Sequence, residues 1–138
     1  MKIVDTIESL DSKKYADEIL NNLLPFASQY FNINSETLSI RIVTEDNITA
    51  YYDTDLIEIV INDSVIDKYT FDFTYKMYVF FHEFTHYVQH IRKSYDFDDP
   101  NFERDYEDQY PFHPMEMEAH TEGEKLRDLY LDLEFKRV

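Results

Sequence analysis

Between residues 11 and 31, apolar side chains recur at helical spacing: Tyr15, Ile19, Leu20, Leu23 and Leu24 fall on one face. This pattern predicts an amphipathic helix. Asp11 or Ser12 can cap its start, and Pro25 falls inside the pattern, predicting a kink or an end there. Residues 37–43, Thr-Leu-Ser-Ile-Arg-Ile-Val, alternate apolar with polar and predict a strand. Residues 55–61, Asp-Leu-Ile-Glu-Ile-Val-Ile, are rich in β-branched side chains and predict a second strand, which the turn signal Asn62-Asp63 ends.

From about Asp72 the period becomes helical, and Met77, Phe80, Phe81, Phe84, Val88 and Ile91 form one core-facing stripe. Residues 94–114 are acidic, aromatic and interrupted by Pro100, Pro111 and Pro114, which predicts a long surface loop with at most one short turn. Periodicity returns with Met115, Ala119, Leu126, Leu129, Tyr130 and Leu133, and Pro114 suits the start of that last helix. This order predicts an α+β fold: a small mixed sheet packed on a central helix, flanked by N-terminal and C-terminal helices. A length of 138 residues predicts one domain over residues 1–138.

Opposite its apolar stripe, the central helix carries His82-Glu83-Phe84-Thr85-His86. Residues four apart lie one turn apart on the same face. Two imidazoles can therefore reach one cation and leave positions for a third ligand and a water. Glu83 sits around the helix from His82, where it can take the proton of that water as a general base. A purely structural site needs only ligands, so the presence of Glu83 favours an enzyme.

Composition narrows the chemistry further. Cysteine is absent, which excludes disulfides, thiolate metal sites and a cysteine nucleophile; a metal site here must use His, Asp and Glu. The only glycine is Gly123, so Gly-rich phosphate loops are excluded. Acidic residues outnumber basic ones by 29 to 13, for a net charge of −16. Such a surface repels nucleic-acid phosphates and anionic membranes, so neither is an expected partner. It suits basic partners or metal cations, or is simply a solvated surface with no specific partner; the peptide or protein substrate is expected from the histidine motif instead. The start, Met1-Lys2-Ile3-Val4-Asp5, lacks the apolar run of a signal peptide. No stretch approaches the roughly 20 apolar residues of a membrane span, and the expected location is cytoplasmic.

The run from Ile57-Glu58-Ile59-Val60-Ile61-Asn62, through His82-Glu83-Phe84-Thr85-His86, to Pro114-Met115-Glu116-Met117-Glu118-Ala119 resembles the small gluzincin-type zinc metallopeptidases. It is most similar to the minigluzincins and the ImmA/IrrE-like domains of phages and bacteria. The resemblance implies a zincin-like domain and a zinc-dependent peptidase-like hydrolase that cleaves a peptide or protein bond through a metal-activated water. It implies zinc on His82, His86 and a glutamate of an E-x-x-A pattern, matched by Glu116-Met117-Glu118-Ala119, with Glu83 catalytic. It also implies that the strand at residues 55–61 is the edge that binds extended substrate. The ImmA/IrrE pattern carries Asn after the Ala, where this chain has His120.

Other side chains compete for roles. Helical-wheel geometry alone does not choose the third ligand among Glu116, Glu118, Glu122 and His113; the resemblance points to Glu116. Eight residues of helix rise about 12 Å, so His90 is expected to be a surface or helix-contact residue. The metzincin pattern needs a glycine and a histidine where the chain has Gln89 and Arg92, and is excluded. His113 could also donate to an oxyanion or sit exposed in the loop, and His120 could orient a ligand or face solvent. Tyr106 or Tyr110 could stabilise a tetrahedral intermediate or be structural. The acidic residues of 96–108 lack the spacing of a calcium loop and are expected to form a solvated rim. The functional alternative is a non-catalytic zinc-binding regulatory or interaction module. An acidic decoy of nucleic acid fits poorly, because the acidic residues cluster in 95–108.

Overall fold

A computed structural model describes residues 2–3, 10–43, 49–62 and 73–136. The first amphipathic stretch forms α1 (Leu10–Glu18), a π-helical turn (Ile19–Leu23) and α2 (Leu24–Phe31). Pro25 lies in the first turn of α2. A proline has no N–H and its ring crowds the carbonyl four residues back. In the wide turn just before it, the Leu24 N–H reaches back five residues to the Ile19 carbonyl, which loosens the backbone where the ring must fit. The proline therefore reshapes the helix instead of ending it. Tyr15, Ile19, Leu23 and Leu24 are buried as expected, whereas Leu20 stays exposed. Asp11 and Ser12 lie inside the first turn rather than at a cap. Asn32 closes α2 in the left-handed conformation at φ 52°.

The fold is α+β. Strands β1 (Lys2–Ile3), β2 (Ser39–Val43), β3 (Ala50–Asp53) and β4 (Glu58–Asn62) form a mixed sheet in the order β1-β2-β4-β3. Pairs β1–β2 and β2–β4 are parallel, and β3–β4 is antiparallel. The strand predicted over 55–61 is β4, but it is internal rather than the edge. The reason is β3, a strand the sequence pattern did not reveal, which folds back on β4 as a hairpin. Asp53 Oδ1 accepts the N–H groups of Asp55 (2.9 Å) and Leu56 (3.1 Å) in the connecting turn, the local bonding for which aspartate suits turns. Ile57 completes the turn at φ 51°, a costly conformation for a β-branched residue. It is held there because its carbonyl accepts the Ser39 N–H at 3.0 Å and its side chain packs against the core. Among the described residues the edge beside the central helix is thus β3.

That central helix is α3 (Phe73–Ile91). Met77, Phe80, Phe81, Phe84 and Val88 are buried, and so is Tyr87; Ile91, at the helix end, is exposed. Phe80, Phe81, Phe84 and Tyr87 are each 0% exposed. Burying one such side chain contributes about 1.5–3 kcal/mol, so the four together fix the rotation of α3 about its axis. The helix packs on β3, β4, the π turn and α2, and most extensively on α5 (Pro114–Lys136). On α5, Met115, Ala119, Leu126 and Tyr130 are buried, but Leu129 and Leu133 are exposed. Those two fall toward the C-terminal end of α5.

The segment expected to be a loop contains a helix, α4 (Phe102–Gln109). Pro100 and Pro111 bracket it and do not interrupt it. None of its residues is fully buried; Phe102 and Tyr106, four apart, stand half-buried on the face toward the cleft. Glu103 and Asp105 in its first turn favour the positive end of the helix dipole. No helix among the described residues is long and apolar enough to cross a membrane.

The single glycine sits where α3 and α5 cross. A Cβ on Gly123 would lie 3.0 Å from Tyr78 Cε2 and 3.3 Å from His82 Cα. Gly123→Ala is expected to cost about 1–3 kcal/mol through overpacking, against the roughly 1 kcal/mol that alanine gains in a helix interior. The measurement is the urea midpoint. A variant more stable than the parent would mean that the glycine does not set the helix separation.

Candidate metal centre

The rotation of α3 that buries its phenylalanines turns His82 and His86 toward the first turn of α5. There Glu116 meets both: Oε1 lies 2.6 Å from His82 Nε2, and Oε2 lies 3.1 Å from His86 Nε2. The ligand-type atoms of His82, His86 and Glu116 all lie within 4.8 Å of one another, a group that could hold a metal ion. Their side chains are only 13%, 11% and 12% exposed, so they are sheltered yet reachable from solvent. Glu83 is buried, with Oε1 3.9 Å from His82 Nε2.

Four charge-bearing groups in so small a space shift one another. Burial pushes the Glu83 carboxyl above the usual range, and the neighbouring His86 and His82 only partly offset this. Burial would also raise Glu116, but the hydrogen bonds from His82, His86 and Tyr106 outweigh it and hold Glu116 well below the usual range. For His86, burial disfavours the cation, yet the Glu116 hydrogen bond and the charges of Glu83 and Glu116 leave its pKa raised.

The outer nitrogens of the two imidazoles are also held. Gln89 Nε2 donates to the Met115 carbonyl (3.0 Å) and to Glu118 Oε1 (2.7 Å), so its Oε1 faces His86 Nδ1 at 2.8 Å. That oxygen can only accept, which places a proton on His86 Nδ1 and frees Nε2 for a cation. His82 Nδ1 lies 3.2 Å from the Tyr78 hydroxyl, which lies 2.6 Å from His120 Nδ1. With Nε2 of His82 free, its Nδ1–H donates to Tyr78, and Tyr78 donates to His120. Burial pushes Tyr78 up to about 12, so its hydroxyl keeps that proton at neutral pH. Two oriented imidazoles and a carboxylate are a donor set that fits a borderline divalent cation.

The competing candidates lie elsewhere. His113 is buried, but its Nδ1 accepts the Met115 N–H at 3.0 Å and caps α5, while its ring packs on Phe102 and Tyr106. Glu118 accepts from Gln89, and Glu122 accepts from Tyr30 at 2.9 Å, so neither joins the cluster. His90 bonds the Tyr52 hydroxyl at 2.8 Å, a contact between α3 and the sheet edge. His120 is half-exposed and reaches His82 only through Tyr78. Tyr106 donates to Glu116 Oε2 at 2.7 Å, and Tyr110 lines the cleft. Asp96 and Asp99 accept N–H groups of their own turns from an exposed rim. Tyr78 and Gln89 were missed by the sequence reading, although one lies four residues before His82 and the other three after His86, positions that share a helix face.

Above the three residues opens a cleft of about 960 Å³ between β3, α3, the α4 segment and α5. No protein-family model matches this chain, and neither a curated protein nor a solved structure matches it. The case for a function therefore rests on the site itself.

Glu116→Ala is expected to weaken metal binding by several kcal/mol, as a lost ligand would, while His113→Ala and Glu122→Ala keep the affinity. Chelator competition measures it, and an unchanged affinity in Glu116→Ala would remove that residue from the site. Affinity should also depend on pH. A raised His86 pKa means that the metal-free protein holds a proton which a cation must displace. That competition is present below the folded pKa and is lost above it, so affinity should rise with pH through the usual imidazole range and level off only above the raised pKa. A flat profile would count against His86 as a ligand.

Proposed function

We propose that this chain is a zincin-like, zinc-dependent hydrolase of peptide bonds, with His82, His86 and Glu116 as ligands and Glu83 as the general base. One observation carries the reading: Glu116, 30 residues beyond His86 in the chain, has its two carboxylate oxygens 2.6 and 3.1 Å from the paired imidazoles, with a second, buried carboxylate, Glu83, beside them. Zinc is the favoured ion because the donor set is two imidazoles and one carboxylate, with a position left for water. Bound there, the ion would supply Lewis acidity, acidifying a water and polarising a carbonyl oxygen.

The chain's own residues do the rest. Glu83 accepts the proton of the attacking water on its carboxylate and passes it to the leaving amine, so that water is added across the C–N bond. A carboxyl raised by burial is better matched to that exchange near neutrality than an exposed one. Tyr106 keeps its proton, because burial and Glu116 raise its pKa, and it holds Glu116 in place. The β3 edge, whose residues 50–52 line the cleft, offers main-chain groups to which an extended peptide can add as a strand.

Glu83→Gln should keep its metal and lose hydrolysis by roughly 10²–10⁴-fold, since an amide cannot take the water's proton. Metal content by mass spectrometry and hydrolysis of a quenched peptide library test this together. Loss of metal would make Glu83 a ligand, and unchanged turnover would remove it from the reaction. A parent protein that binds zinc and cleaves nothing would leave a non-catalytic metal-binding module.

A further inference from the structure

The cleft volume of about 960 Å³ lies at the top of the roughly 300–1,000 Å³ range of ligand pockets, room for several residues of a peptide. Its wall is apolar where a water-facing surface would ordinarily be polar. Ten large hydrophobic side chains are exposed among the described residues, and five of them, Tyr51, Tyr75, Tyr110, Phe112 and Met117, line this cleft. Phe112 is 76% exposed and Tyr110 is 56% exposed. Apolar side chains gathered in one concave surface mark what that surface binds. A strand added along β3 would turn alternate side chains toward such a wall.

The charges in the cleft are as one-sided as its apolar wall. Among the described residues that line it there is no lysine or arginine, whereas Glu83, Glu103 and Glu116 belong to it. The whole chain carries −16. A free peptide carboxylate would find no lysine or arginine to pair with, only the ion proposed at the centre, and it would enter a negative field. A free terminal amine would feel the same negative field as a lysine side chain but would find no carboxylate placed to fix it, since Glu83 and Glu116 are engaged at the centre and Glu103 is exposed.

From these features we infer that the cleft takes an interior segment of a cationic polypeptide, with large apolar or aromatic side chains seated against Tyr110, Phe112 and Met117. Cleavage there is that of an endopeptidase. The cleavage part rests on the hydrolase reading; the recognition part does not.

The test uses zinc-loaded Glu83→Gln, in which binding is read without turnover, and fluorescein-labelled peptides followed by anisotropy. The reference peptide is acetylated and amidated and alternates lysine with phenylalanine and leucine. It should bind about tenfold or more tighter, a clear free-energy difference, than three relatives. One has glutamate for lysine, one has serine for the apolar residues, and one carries a free carboxylate. Phe112→Ser should weaken the reference peptide several-fold with metal content and thermal midpoint unchanged, because that side chain is mostly in water. No measurable binding, equal binding of the acidic or serine relative, tighter binding of the free carboxylate, or no effect of Phe112→Ser would each overturn the inference. Turnover by the parent protein separates the two readings. Internal cleavage of the reference peptide supports both. Release of single terminal residues, or cleavage indifferent to composition, sinks this inference and leaves a hydrolase. Preserved binding preference without cleavage of any peptide sinks the hydrolase and leaves the recognition.

Discussion

Everything at the candidate centre depends on how closely two helices cross. α3 brings His82 and His86, α5 brings Glu116, and neither helix has a site without the other. Gly123 sits at that crossing with the backbone of His82 within van der Waals distance of where a side chain would begin. Close contact there lets a short glutamate span the gap to both imidazoles. Gln89 ties the same two helices further along, from α3 to the Met115 carbonyl and Glu118 on α5. The three candidate ligands are thus set by main-chain separation more than by flexible side-chain reach, the condition under which a site keeps its geometry.

The crossing also concentrates charge. Glu83, Glu116 and two histidines share a space that is nearly closed to water, where an uncompensated charge costs several kcal/mol. The protein resolves this by pairing: Glu116 is held ionised by the imidazoles and Tyr106, while Glu83, farther from a direct partner, is pushed up by burial. Two carboxylates of the same type are driven in opposite directions by their surroundings. That divergence separates a group suited to hold a cation from one suited to exchange a proton.

How much of this was readable beforehand follows from the range of each interaction. His82, Glu83 and His86 are one helical turn, so their relation is local and visible in the sequence. Glu116 is a tertiary partner: the helical wheel left Glu118, Glu122 and His113 open, and only the α3–α5 crossing separates them. The buried stripes of α3 and the strands β2 and β4 were legible because burial imposes a period. Strand β3 was not, since Tyr51 and Tyr52 both remain partly in water and Ala50-Tyr51-Tyr52-Asp53 shows no alternation. Helix α4 was missed for a different reason: Pro100 and Pro111 read as interruptions of the segment, whereas they only bracket a helix whose Phe102 and Tyr106 share one face. Pro25 reads as a kink or an end because propensity offers both, and a widened turn just before it lets the helix continue.

The helix without a fully buried residue divides the chain in another sense. α4 and the residues that follow it furnish Phe102, Tyr106, Tyr110 and Phe112 to the cleft, yet α4 contributes no side chain to the hydrophobic core. Apart from Tyr106, which braces Glu116, and Phe102, which packs on Phe97 and His113, these positions are under little packing constraint. Substitutions there would alter the shape and polarity of the wall while leaving the folding free energy nearly unchanged. Such a scaffold can diversify what it admits, by drift or by a mutational library confined to that segment, without renegotiating the stability of the body that carries the candidate centre.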